Sequence, residues 1–119
     1  MRPDRLLLQD IIEAIDEVIE TTPSDKAMFD ADKLVRSHLI RNIQIIGEGA
    51  WRLSNEIKDR HPEVPWKIIS GMRHAIVHDY FEVDFDEVYN TAMRDVPPLR
   101  SRITAILASL PPDPDGDAA

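Results

Sequence analysis

The sequence predicts an all-α protein, an antiparallel bundle of four to five helices. Three observations carry this. Apolar residues recur at steps of three and four instead of two. Glycine is scarce, at four in 119 residues, and alternating β-branched runs are few. Prolines fall between the periodic stretches, where they punctuate helices.

The first helix is expected over about 3–21, from the stripe Leu8, Ile11, Ile12, Ile15, Val18 and Ile19. Thr21-Thr22-Pro23 stops it, and Ser24 or Asp25 can cap a short helical turn around Lys26–Phe29. Asp30 is the expected cap of a long second helix from Ala31 to about Asp59, with the stripe Leu34, Val35, Leu39, Ile43, Ile46, Ala50, Leu53 and Ile57. Gly47 and Gly49 are unfavourable there by roughly 1 kcal/mol each, so they imply close packing against another backbone, or a bend. Pro62 and Pro65 mark a loop, and Pro65 suits the first position of a third helix, Trp66 to about Tyr80. Asp84 can cap a fourth, Phe85 to about Arg94; Pro97-Pro98 interrupt it, and Leu99 to Leu110 forms a fifth. Residues 1–110 thus make one domain, and 111–119 read as a disordered acidic tail.

An unbroken second helix would be roughly 43 Å long at about 1.5 Å per residue. That overhangs a domain whose expected radius of gyration is about 13–14 Å. The excess points to a second copy covering it, or else to the bend at Gly47–Gly49.

Composition excludes several classes. With 43% hydrophobic and 30% charged residues the chain is globular in type. Charges interrupt every apolar stretch, so no membrane span is expected, and the acids after Arg5 break any signal-peptide pattern. The absence of cysteine removes disulfides, thiolate metal sites and cysteine nucleophiles. A cytoplasmic location follows as the expectation. The net charge is −8, but it is uneven: residues 1–32 carry −6, 33–73 carry +4 and 74–93 carry −5. Such a chain can focus an anion at one basic surface, yet it does not suit coating a long phosphate backbone such as DNA.

The densest polar cluster is the run from Gly71 to Asp84. On an ideal helix Arg73, Val77 and Tyr80 share a face, while His74 and His78 stack one turn apart on the next. Arg73 and His78 diverge by roughly 140° within one chain, and a two-fold axis beside the helix would gather both pairs in one cleft. Three readings compete. His78 could act as general acid and base with Arg73 as a fixed cation for a developing phosphorane, which is what metal-independent RNA cleavage requires. His74 and His78 could instead chelate a metal with Asp79 or Glu48. Or the run could be a solvated helix end with surface ion pairs.

The stretch from Ile45 to about Pro98 resembles the HepT-like ribonuclease toxins of the HEPN superfamily. Their signature Arg-x4-His-x-Tyr is met here as Arg73-(His74-Ala75-Ile76-Val77)-His78-Asp79-Tyr80. Ile46-Gly47-Glu48, Val64-Pro65-Trp66, Gly71-Met72 and Val83-Asp84 flank it in matching order. His74 stands where the family often has Asn, which leaves any role of that amide open. The resemblance implies a HEPN-like homodimer whose motifs meet in a cleft and cut RNA without metal or other cofactor. It also implies an MntA-type nucleotidyltransferase antitoxin that attaches AMP to the motif tyrosine. On this chain Arg73 and His78 become the catalytic pair and Tyr80 the AMPylated residue, with Glu48, His74 and Asp79 supporting. A non-catalytic helical module that binds nucleotide or protein beside such a nucleotidyltransferase is the alternative.

Other residues read more plainly. Glu48 either orients Arg73 or His78 or is an exposed carboxylate. Trp51 and Trp66 are expected as core or interface anchors before base-stacking platforms. His38 and His61 read as surface residues, and Lys33, Arg36 and Arg41 as a solvated face that could also rim an RNA site. Asp79, Glu82, Asp84 and Asp86 repel phosphate and suit a basic partner or helix capping.

Overall fold

The computed structural model describes residues 2–75 and 83–111. The predicted end of the third helix, and all of the 111–119 tail but Pro111, therefore lie outside the described residues. Within them every regular element is helical. The order is α1 (Asp4–Thr21), α2 (Lys26–Ala31), α3 (Lys33–Arg52), α4 (Asn55–Arg60), α5 (Trp66–Ala75), α6 (Phe85–Asn90) and α7 (Leu99–Ser109). A π-helical turn, Thr91–Asp95, extends α6.

Helix α3 is the spine: α1, α2, α5 and α6 all pack on it, and α7 covers α1. Helices α1 and α3 run antiparallel, since Asp4 meets Ser54 at one end and Glu17 meets His38 at the other. Leu7, Leu8, Ile11, Ala14, Ile15 and Val18 are the buried face of α1. They meet Leu39, Ile43, Ile46 and Ala50 of α3, with Ile103 and Ile106 of α7 in the same core. The predicted stripes are thus largely the core, but Ile19 is exposed and Leu34, in the first turn of α3, is 81% exposed.

The long predicted helix is two. Asp32, not Asp30, caps α3, its Oδ1 accepting from the backbone N–H of Leu34 (3.0 Å) and Val35 (3.1 Å). Asp30 belongs to α2, where it pairs with Lys26 one turn back. At the other end Leu53 leaves the helix with ψ 147°, and Ser54 caps α4 by accepting from Ile57 N–H at 3.3 Å. Ser54 N–H in turn donates to Asp4 Oδ1 at 2.9 Å. The reason is local competition: a serine whose hydroxyl can cap offers the chain a better use than an interior helical position. The break also lets both Leu53 and Ile57 stay buried. With 20 residues α3 is about 30 Å long. The overhang that pointed to a second copy is therefore gone.

Helix α3 runs unbroken through its glycines, and they are contact points. A Cβ on Gly49 would lie 2.7 Å from the Ile11 side chain. One on Gly47 would lie 2.5 Å from the backbone N of Arg73 and 3.1 Å from the carbonyl oxygen of Ile69. Helix α5 is therefore seated against bare α3 backbone. Pro65 precedes it as expected, and Trp66, 8% exposed, anchors its start by donating Nε1–H to the carbonyl of His61 at 2.9 Å. Near the N-terminal end of α3, Tyr89 donates to the carbonyls of Pro23 (2.9 Å) and Ser24 (3.1 Å) and stacks obliquely on Phe29. Arg36 donates to the carbonyls of Phe29 and Asp30 and lies over the Phe85 ring, so it ties α2 and α6 together.

The two helical glycines flanking this contact should respond oppositely to alanine. Gly71 has open space where a Cβ would stand. Gly71→Ala is expected to raise the unfolding free energy by about 0.5–1 kcal/mol through helix propensity. Gly47→Ala should lower it by about 1–3 kcal/mol, because backbone must move to admit the methyl group. Urea unfolding of the two variants checks both signs.

Candidate active site

Three residues of α5 set the site. Ile69 and Met72 face the core. Arg73, one turn after Ile69, has its backbone against Gly47, so its side chain must run along the α3 surface. There it meets Glu48 and Trp51. Arg73 Nη1 lies 3.7 Å from Glu48 Oε2, and the guanidinium carbon lies over the Trp51 ring, 3.9 Å from its centre. The Arg73 side chain remains 22% exposed.

Glu48, Trp51 and Arg52 share one face of α3 at positions i, i+3 and i+4. Glu48 accepts a hydrogen bond from Arg52 Nε at 3.0 Å, so its carboxylate is divided between two guanidinium groups. Lys58 reaches back from α4 and donates to the Trp51 carbonyl at 3.0 Å. Burial pushes the Lys58 ammonium below its ordinary value; the Asp4 carboxylate opposes the shift, and the nearby positive charge of Arg73 adds to it. Arg73, Arg52 and Lys58 against the carboxylates of Glu48 and Asp4 leave this corner with a small positive excess, in a chain that is acidic overall.

The structure thus joins two of the sequence-predicted residues, Arg73 and Glu48, in an ion pair. It leaves His74 exposed at the C-terminal end of α5. His78, Asp79 and Tyr80 lie outside the described residues. Among the described residues no group of three or more His, Asp or Glu side chains could hold a metal ion. Trp66 is the core anchor expected. Trp51 is not in the core: it is 52% exposed and serves as the surface on which Arg73 lies. The signal for this was present as the helical spacing of Glu48, Trp51 and Arg52 beside Gly47. What it lacked was the knowledge that α5 crosses there.

A comparison with protein families decides the lineage. The model of the HepT-like family, described as "Ribonuclease HepT-like", matches residues 11–106. The chain belongs to the HepT-like ribonuclease family. A Thermococcus cleftensis protein named "Probable ribonuclease HepT" is 37% identical over 97 residues, which is 80% of this chain and 87% of that protein. A Methanocaldococcus jannaschii protein with RNase in its name is 32% identical over 106 residues, covering 88% of this chain and 97% of the relative. Another, from Caldanaerobacter subterraneus subsp. tengcongensis and also carrying RNase in its name, is 31% identical over 108 residues, 90% and 96% of the two chains. No solved structure matches the chain. The all-helical architecture fits this HepT-like membership, and among the described residues no helix is long and apolar enough to cross a membrane.

Proposed function

We propose that this HepT-like chain is a metal-independent endoribonuclease, the toxin of a toxin–antitoxin pair, acting as a homodimer in which Arg73 and His78 of both copies share one cleft. The observation that carries the reading is the placement of Arg73. A guanidinium fixed at a helix crossing, partly exposed and in a locally positive corner, is suited to bind a phosphate.

The chemistry needs no group beyond the motif and the RNA. One His78 imidazole, neutral at its outset, takes the proton of a ribose 2'-hydroxyl. The resulting oxygen attacks the adjacent phosphorus, and the bond to the 5'-oxygen of the next nucleotide breaks. The His78 of the second copy, protonated, gives its proton to that leaving oxygen. The products are a 2',3'-cyclic phosphate and a 5'-hydroxyl, and the two histidines exchange protonation states. Arg73 stabilises the extra negative charge on the phosphorane oxygens between these steps. Glu48 holds Arg73 from one side. His74 and Asp79 border the pair in sequence and support it.

Control comes from a cognate MntA-type nucleotidyltransferase that AMPylates Tyr80. The phenol oxygen attacks the α-phosphorus of ATP, pyrophosphate leaves, and the phenol proton passes to the transferase. Two residues from His78, the attached AMP would put a phosphate and a base where substrate must lie.

Purified unmodified protein should cut RNA in EDTA. Arg73→Ala and His78→Ala should each lower the rate by about a hundredfold or more. Gel analysis of total RNA reads this, and equal cleavage by all three proteins would point to a contaminant and leave a non-catalytic module. After coexpression with the nucleotidyltransferase, intact mass should show adducts in multiples of AMP that vanish in Tyr80→Phe. An adduct that persists in Tyr80→Phe would move the modification elsewhere.

A further inference from the structure

Trp51 is a large aromatic residue, half-exposed, that neither the core nor the cleavage chemistry employs. We propose that Trp51 is a positioning residue for RNA cleavage: its indole face holds the Arg73 guanidinium in plane and in place. The proposal rests on the reading of Arg73 as the phosphate clamp.

The other restraints on Arg73 are weak. Its Nε is buried and has no hydrogen-bond partner among the described residues. Its contact with Glu48, at 3.7 Å, is longer than a hydrogen bond, and that carboxylate already accepts from Arg52 at 3.0 Å. The stack on Trp51 puts the guanidinium carbon 3.9 Å from the ring centre, a distance of face-on van der Waals contact. Such an arrangement has a chemical advantage. A bidentate carboxylate would fix the guanidinium by using the same N–H fork, and much of the same charge, that a phosphate needs. An aromatic face fixes the plane without using any N–H donor. The Trp51 backbone is tied down at the end of α3, where its carbonyl accepts from Lys58.

A base-stacking platform is the competing use of an exposed tryptophan. A groove of about 400 Å³ lined by Arg2, Leu7, Trp51 and Arg52 adjoins it. Its cations, however, are already paired: Arg2 with Asp10 through two bonds of 2.6 and 3.0 Å, and Arg52 with Glu48. One ring face is also occupied by Arg73. The occupied face and the paired cations favour positioning.

The test compares wild type, Trp51→Phe, Trp51→Leu and Arg73→Ala. Steady-state cleavage of a short RNA in EDTA gives kcat and KM, and two-dimensional NMR follows the side-chain Nε–Hε signals of arginine. In wild type the signal absent from Arg73→Ala should be shifted upfield by the indole ring current. Trp51→Leu should return it to the ordinary arginine position and lower kcat about tenfold with KM within about twofold. Trp51→Phe, which keeps a ring face, should recover most of kcat. An unchanged Arg73 signal in Trp51→Leu overturns the proposal, as does an unchanged kcat; a rise in KM alone would make Trp51 a base platform instead. If wild type cuts no RNA, or Arg73→Ala cuts as fast, the nuclease reading fails, and the NMR signal alone then decides whether Trp51 places Arg73.

Discussion

The site depends on the crossing of α3 and α5 at Gly47. Helix axes ordinarily pack about 8–10 Å apart because side chains stand between them. Here one helix presents no side chain at the contact, and the backbone N of Arg73 occupies what would be Cβ space. Everything specific about Arg73 follows from that approach. Its side chain starts at the α3 surface, so Glu48 and Trp51, one and four residues beyond Gly47, are within reach. Trp66 and Ile69 secure the rest of α5 by burial, and the ammonium of Lys58 secures the end of α3. A position that lowers helix propensity thus makes room for a contact that orders the Arg73 guanidinium.

Electrostatics follows the same geometry. An acidic protein meets RNA only where its field is locally reversed. Here the reversal is built by three cations drawn from three different helices around one tryptophan, with a single carboxylate between two of them. Much of the remaining acid is set apart from this corner or paired. Asp10 holds Arg2, Asp16 holds Arg100, and Glu17 holds His38, all along α1. The uneven charge visible in the sequence becomes a spatial separation once α3, α4 and α5 converge.

What the sequence disclosed and what it withheld divide along physical lines. Periodicity named the core faces of α1 and α3, because burial of one stripe is a property of a single helix. The Arg-x4-His-x-Tyr run and its flanking order disclosed the family, since a linear motif survives without coordinates. Boundaries were less legible. Asp30 and Asp32 are equivalent as caps in one dimension, and only the extent of α2 chooses between them. The break at Leu53–Ser54 was hidden because Leu53 and Ile57 continue the same apolar spacing through it. Leu34 fitted that spacing too, yet it lies in a first turn that none of the described elements covers. Trp51 was only half legible: core or interface anchor was as far as its type could point, and its neighbour in the fold is an arginine 22 positions later, brought there by the crossing of α5.

On the proposed reading, a planar guanidinium held flat at the α3–α5 crossing is what this site offers to a scissile phosphate. The most direct measurement is single-turnover RNA cleavage in EDTA by Arg73→Lys, which keeps the charge but loses the plane and the fork. The account predicts a rate lowered by about a hundredfold or more. A lysine variant cutting within about threefold of wild type would contradict it, because a bare positive charge would then suffice.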